Sequence, residues 1–482
     1  MNAFSSLTIT LSILLGAVEA HADAPGRPNL VIIYADDLGY GDLGCFGSTR
    51  TVTPNLDKMA REGRKFTNFH VAQAVCSASR TALLTGCYPN RLGIHGALGP
   101  KATVGISDNE VTLAQLLKRQ GYSTGMAGKW HLGHHPRFLP TRHGFDEYLG
   151  LPYSNDMWPH QPGAKNKAGY PALPLIEGET TIDPDVTAED QARLTSMYTS
   201  RAVSFIEKHK KEPFFFYLAH SMPHVPLHAS KAFLGKSGKG LYADVIMEID
   251  ASVGRILETL DTNGLKENTL VIFTSDNGPW LPYGEHAGTS GPLREGKGTA
   301  WEGGIRAPCV MRWPGKMPAG SVCDDFLMTI DVLPTVAALV DARLPKKPID
   351  GLDVGPILLG SLGAKNPHDA YYLYYGVNQL QGIVSGDGRW KLMLPHSYGS
   401  LAGKPGGVGG VPAKSQQFTI TRPELYDLAK DRSETTDVAE RNPEVVKALL
   451  EFAERARTDL GDAITKRKGS GLREPGRVEA TP

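Results

Sequence analysis

The chain has 482 residues, with 51 Lys plus Arg against 51 Asp plus Glu, so its formal net charge is zero. That length allows two domains and a large core, and the balance leaves no basic footprint for nucleic acid or an anionic membrane surface. No nucleic-acid partner and no stable membrane partner is expected.

Leu7–Val18 (LTITLSILLGAV) is a short apolar run followed by small-residue cleavage sites at Val18–Glu19–Ala20 and Ala20–His21–Ala22. Residues 1–22 read as a secretory signal, although Met1–Ser6 carries no Lys or Arg. The run is short for a membrane span, so the expected location is exported, periplasmic or extracellular. Five cysteines follow: Cys45, Cys76, Cys87, Cys309 and Cys323. In an exported chain an odd count leaves at least one unpaired or modified. Cys76 is the candidate, Cys309 and Cys323 could pair, and no spacing suits zinc.

Leu30–Ala35 (LVIIYA) is a continuous apolar run ending in Asp36–Asp37, the pattern of a central parallel strand. The same grammar recurs three times. Thr269–Thr274 leads to Ser275–Asp276–Asn277–Gly278, Phe214–Ala219 leads to His220 and His224, and Ser123–Ala127 leads to Gly128–Lys129–Trp130–His131. Alone, Asp36 reads first as a turn or N-cap residue. Four strands that each deliver polar groups past their C-terminal ends predict one site on one sheet edge. Helical periodicity spans Val111–Gln120, Val245–Leu260 and Asp331–Val340. Gly163–Asp185 and Gly278–Gly304 read as long loops over the same edge.

This alternation predicts an α/β fold with a large, mostly parallel central sheet flanked by helices. From about residue 365 the composition shifts. Tyr371–Tyr375 and Trp390–Leu394 read as strands, Asp387–Gly388 as a hairpin turn, Gly399–Gly410 as flexible, and Pro443–Leu460 as an amphipathic helix. The expected organisation is a signal at 1–22, a catalytic domain at 23–364, a smaller C-terminal α+β domain with an antiparallel sheet at 365–460, and a flexible tail at 461–482.

Cys76 precedes a helix-forming run, and Arg80 lies four residues on, on the same helical face. The pair can address one anion at a helix N-terminus, or be a buried thiol and a surface arginine. Asp36, Asp37, Asp276 and Asn277 offer only oxygen ligands, suiting a hard cation and favouring calcium. Lys129, His131, His224 and Lys297 add cations and proton-transfer groups. Lys297, in Gly296–Lys297–Gly298–Thr299, lacks the preceding pattern of a P-loop.

Together these segments resemble the type I sulfatases of the alkaline phosphatase superfamily. Residues 76–86, CSASRTALLTG, are similar to the family's Cys-x-Pro/Ala-x-Arg signature. The resemblance continues through Asp36–Asp37, Gly128–Gly133, Pro152–Tyr153–Ser154, His224, Ser275–Gly278, Gly296–Thr299 and Glu424–Leu428. It implies oxidation of Cys76 to Cα-formylglycine by a maturase, and one calcium ion held by Asp36, Asp37, Asp276, Asn277 and modified Cys76. It also implies attack of the hydrated aldehyde on a sulfate ester, with Arg80 and Lys129 stabilising charge. His224 and Lys297 would assist the leaving alcohol, and His131 would expel sulfate. Ser154 aligns with a residue that binds near the sulfate. Ala78 stands where many members carry proline.

Arg294, Trp158, His160, Tyr283, Glu285 and His286 lie on candidate pocket loops, though they could equally pack those loops. His396, in Leu394–Tyr398, resembles a segment of bacterial carbohydrate sulfatases and is expected at the pocket. The expected substrate is a sulfated glycan based on galactose or N-acetylgalactosamine rather than a free aryl sulfate. The alternatives are a phosphodiester or phosphonate monoester hydrolase of the same superfamily, and an inactive glycan-binding homologue.

Overall fold

The computed structural model describes residues 27–162 and 169–478. The signal reading at 1–22, the start of the Gly163–Asp185 loop and the last four residues lie outside them.

The fold is built on a sheet of eleven strands among the described residues. Its main strands are β1 (Asn29–Ala35), β2 (Arg64–His70), β3 (Ser123–Gly128), β4 (Glu147–Gly150), β5 (Leu175–Glu177), β6 (Thr180–Asp183), β7 (Phe214–Ala219), β8 (Thr269–Ser275), β9 (Arg306–Arg312) and β10 (Ser321–Cys323), in the order β10-β2-β9-β8-β1-β7-β3-β4-β5-β6. β1 pairs in parallel with both β7 and β8, and β7 with β3. Successive side chains of a strand point to opposite faces. Leu30, Ile32 and Tyr34 therefore join one core, and Val31, Ile33 and Ala35 the other. Both faces are covered, so the strand is apolar at every position rather than alternating. The first face packs on α2 (Cys76–Thr85), α3 (Leu113–Arg119) and α7 (Val332–Leu339), the second on α1 (Pro54–Glu62), α4 (Ala188–His209) and α5 (Leu241–Thr262), while the short α6 (Glu302–Ile305) faces the smaller sheet through Ile305.

The helix expected at Val111–Gln120 is Leu113–Arg119, opened by a capping box between Thr112 and Gln115. A smaller antiparallel sheet follows, Ala370–Tyr375, Gln379–Ser385, Trp390–Met393 and Glu424–Asp427, covered by the Pro443–Leu460 helix. Its apolar residues share a third core with Trp301, Ile305 and Met328 of the larger body.

Four expectations change. The supposed loop 163–185 contains the hairpin β5–β6, which extends the sheet. The glycine-rich stretch from Gly399 begins inside a second hairpin, His396–Ser400 with Gln416–Ile420. Cys309 and Cys323 do not pair, because both lie opposite Phe66 on the two sides of β2. Two strand spacings put their Cα atoms about 9–10 Å apart, beyond disulfide reach.

The fourth change concerns the tail, where residues 461–478 return to the large body instead of fraying. Asp462 is buried and accepts from Arg457 at 3.0 Å, Arg473 pairs with Glu110 at 3.0 Å, and Gly476–Arg477 pairs with Val104–Gly105. Arg91 binds Asp350 through Nε at 2.9 Å and Nη2 at 2.6 Å, and donates to the Gly471 carbonyl at 3.1 Å. A chain ended at Leu460 is expected to unfold several degrees below the full chain in a thermal melt, at about 1–3 kcal/mol for each buried polar group left unsatisfied. Equal midpoints would return the segment to a loose end.

Candidate active site

Strand direction assembles the site. β1, β3, β7 and β8 run the same way, so Asp36–Asp37, Lys129–His131, His220–His224 and Asp276–Asn277 emerge on one edge. The register sets Ala35 beside Ser275 and Gly128 beside Ala219. β9 is antiparallel to both β8 and β2, so β2 also ends at this edge and hands the chain through Val71–Val75 to α2. The Gly278–Gly304 loop precedes β9 and brings Lys297 to the same place.

α2 starts at Cys76 behind Val75, which makes no side-chain cap. All ten of its residues are buried; the small ones let it sit deep, and Ser77 and Ser79 bond to the Leu98 amide at 2.9 Å and the Tyr34 hydroxyl at 3.0 Å. The Ala78 amide donates to the Gly96 carbonyl at 3.3 Å, a bond that proline could not make.

Cys76 Sγ lies 3.6 Å from Asp36 Oδ1 and 3.5 Å from Lys297 Nζ. Burial pushes its thiol up to about 12, so almost no thiolate forms at neutral pH. Lys297 donates to both Asp37 oxygens, at 2.7 and 2.9 Å. Lys129 binds Asp36 and donates to Ser154 Oγ at 3.0 Å. His224 Nε2 is 3.5 Å from Asp37 Oδ2, and its Nδ1 lies 2.6 Å from the Val225 carbonyl; a donating Nδ1–H leaves Nε2 facing the site. Burial pushes the His224 imidazole down, as does Lys297. His131 is also held well below its usual value by burial, Lys129 and Arg80, and neither ring nitrogen has a hydrogen-bond partner among the described residues. Asp37 (φ 64°) and His131 (φ 63°) both occupy the left-handed region, a cost often found at functional sites.

Arg80 differs from its expected role. It is fully buried and has no nitrogen free for an outside anion. Nε and Nη2 donate to Asp276 Oδ2 at 3.2 and 2.8 Å, Nη2 lies 3.3 Å from Asp36 Oδ2, and Nη1 donates to the Lys129 carbonyl at 3.0 Å.

The oxygen donors fit a hard divalent cation. Asp36, Asp37, Cys76 and His224 each offer a ligand atom within 4.8 Å of the others. Asn277 donates to Asp37 Oδ1 at 2.7 Å, while its own buried Oδ1 has no partner. Burial and the neighbouring Asp36 charge push Asp276 up to about 7, a repulsion that a cation would relieve. The three carboxylates are balanced by Arg80, Lys129 and Lys297. A divalent ion would then give the site a net positive charge toward an anion.

Two sequence candidates are not brought here. Arg294 lies flat on Trp301, 3.5 Å from the ring centroid, and donates to the Glu434 carbonyl at 2.8 Å and the Tyr398 hydroxyl at 3.0 Å. It fastens the small domain to the large one. His396 is buried with Nδ1 2.7 Å from the Leu394 carbonyl. Its strand turns the following residues, Ser397 and Tyr398, to the cavity beside Lys297. Trp158 packs on His160 and His228, and Glu285 accepts from the Gly409 amide; these are loop-packing contacts. Tyr283 meets Trp280 edge to face, with ring centroids 4.7 Å apart. Trp280 itself was missed, although it directly follows Ser275–Pro279; Lys297 Nζ sits 4.4 Å from its ring centroid. Tyr375, at the end of a foreseen strand, was also missed and lines the same cavity.

Comparison with known proteins follows this geometry. A family profile described as Sulfatase matches residues 28–342, and one described as N-sulphoglucosamine sulphohydrolase, C-terminal, matches residues 296–394. Human arylsulfatase A is 38% identical over 474 residues, covering 94% of this chain and 92% of that protein. N-acetylgalactosamine-6-sulfatase of Canis lupus familiaris is 36% identical, covering 91% and 87%. A solved structure described under the metabolism of multiple glycosaminoglycans by Bacteroides thetaiotaomicron superposes with a TM-score of 0.74 at 30% identity, covering 90% of this chain and 99% of its own.

Arg80→Met would leave Asp36 and Asp276 buried with one counter-charge fewer. It is expected to cost about 3–5 kcal/mol in a denaturant titration; a loss below about 1 kcal/mol would show that the guanidinium does not hold the strand ends together.

Proposed function

The chain belongs to the sulfatase family and is a sulfuric ester hydrolase, and from that premise we propose how its residues divide the hydrolysis of a sulfated carbohydrate into alcohol and inorganic sulfate. The observation that carries the reading is the convergence of Cys76, Lys297, Asp36 and Asp37 within hydrogen-bonding range at the ends of parallel strands.

A thiol held near 12 is a poor nucleophile at neutral pH. Conversion of Cys76 to Cα-formylglycine by a maturase would supply, as the aldehyde hydrate, the oxygen nucleophile the thiol cannot provide. Asp36, Asp37, Asp276 and Asn277 would hold a calcium ion, which would supply Lewis-acid polarisation of the sulfate oxygens. Lys129 and Ser154 form a donor pair positioned by Asp36 to bind the sulfate group. Burial works against the Lys297 ammonium, but Asp37, Asp36, Asp276 and the Cys76 side chain together hold its pKa well above the usual lysine value, so it carries a proton at neutral pH and can stabilise or protonate the leaving oxygen. His224, fixed by Val225, presents Nε2 for the same transfer. His131, neutral and unpartnered, is the base that takes a proton as sulfate departs. Export through a signal at residues 1–22 belongs to the same reading, and no helix among the described residues is long and apolar enough to cross a membrane.

Paired assays with the sulfate and phosphate esters of one alcohol test the reaction class. Faster sulfate release is expected, and faster turnover of a phosphodiester or phosphonate would reverse the assignment. Mass spectrometry across Cys76 is expected to find the formylglycine mass in active protein. Cys76→Ala should lose at least about 10³-fold in kcat, the scale for a lost nucleophile, whereas activity with only unmodified thiol present would remove the proposed nucleophile. Chelation should abolish turnover and calcium restore it; full activity in a verified metal-free sample would dismiss the four-ligand site.

A further inference from the structure

Beyond Lys297 the active centre opens into a cavity of about 390 Å³. Trp280 and Tyr375 present rings on its wall, and Ser397 and Gln417 add a hydroxyl and an amide from the small-domain hairpin. Lys297 is the one lysine or arginine on this wall among the described residues, and its ammonium is taken up by both oxygens of Asp37. The wall also carries one carboxylate, Glu295. Glu295 adopts a left-handed backbone with φ 58°, and Ser400 Oγ donates to its Oε1 at 2.6 Å. Glu295 and Ser400 also border a second cavity of about 380 Å³, where Lys404 stands. Glu295 thus stands between a cavity whose one lysine is engaged by Asp37 and a cavity that holds Lys404.

Resting on the sulfatase reading, we propose that the sugar residue bearing the scissile ester is otherwise uncharged, and that Glu295 is the specificity-determining residue that turns away a second anionic group on it. A neutral pyranose can lie on aromatic faces and exchange hydrogen bonds with Ser397 and Gln417. A carboxylate or second sulfate on the same residue would meet the Glu295 charge in a partly desolvated cavity whose one lysine, Lys297, is committed to Asp37 and the scissile ester, and like charges so placed discriminate strongly.

The test measures inorganic sulfate release from monosulfated galactose, N-acetylgalactosamine, glucose and N-acetylglucosamine, and from disulfated counterparts carrying the same scissile ester. For the best monosulfated sugar, kcat/KM is expected to exceed that of its disulfated counterpart by at least about tenfold. Glu295→Gln should shrink that ratio by about fivefold or more through a lower KM for the disulfated ester, while Glu295→Asp keeps it. A wild-type preference for disulfated esters, or a ratio unmoved in Glu295→Gln, overturns the proposal and leaves the sulfatase reading standing. A second measurement needs no turnover: titration of Trp280 fluorescence with methyl galactoside and methyl galacturonide. Tighter binding of the neutral glycoside, reversed or levelled in Glu295→Gln, supports the proposal, and tighter binding of the uronide to wild type overturns it. Absence of sulfate release from every ester by protein with verified Cys76 conversion would instead count against the reading on which the proposal rests.

Discussion

The buried guanidinium of Arg80 is the constraint on which the site depends. Parallel strands deliver their carboxylates side by side, and two buried carboxylates at adjacent strand ends repel each other strongly. Arg80 rises from α2 beneath them and bonds Asp276, Asp36 and the Lys129 carbonyl at once. A planar fork can bridge three strand ends in this way, which a lysine ammonium could not do with the same geometry. The helix that carries Cys76 is therefore locked to the acids that surround Cys76. Nucleophile position and ligand position are one structural fact, and neither can shift without breaking the same set of bonds.

The small domain secures the other half of the site. Glu302 opens α6, five residues after Lys297, and is fully buried. It binds His70 at 2.9 Å, Lys391 at 2.9 Å and Arg306 at 3.3 Å. Lys391 also pairs with Glu434 at 2.7 Å, and Glu434 accepts from the Glu302 amide at 2.8 Å. With Arg294 on Trp301, these contacts pin the segment from Arg294 to Arg306 between the two bodies. Buried ion pairs give little net stability but are costly to break singly. Such a network suits a loop that must return one ammonium to one place, and it explains why the small domain matters to a site whose acids all come from the large one.

Much of this was legible in the sequence because a strand buried on both faces must be apolar throughout. β1, β7 and β8 announced themselves in that way, and polar residues just past such runs can only lie at a strand end. β2 was not legible: its polar residues (RKFTNFH) reflect partial exposure near the sheet margin, so the strand that delivers Cys76 had to be found from the pairing. His396 failed because it opens its strand one residue before the run Ser397–Leu401 that lines the cavity, with Nδ1 against the Leu394 carbonyl, and a motif does not state where its strand meets a cavity. Arg294 failed because a cation on a pocket loop looks the same in sequence whether it meets a ligand or an aromatic ring. The tail looked loose because its anchors, Arg91, Glu110 and Val104–Gly105, lie more than 340 residues away in the chain.

The remaining sequence puzzle, alanine at position 78, has a local answer in the folded state. Its amide is one of the unpaired donors of a helix's first turn, and here it meets the Gly96 carbonyl. Proline at that position would preset the helical φ but leave the half-buried Gly96 carbonyl without this donor. Alanine gives up the preset φ and keeps the bond. The two residues are thus alternative ways to start the same helix, and the positions of Cys76 and Arg80 follow from the helix rather than from which of the two begins it.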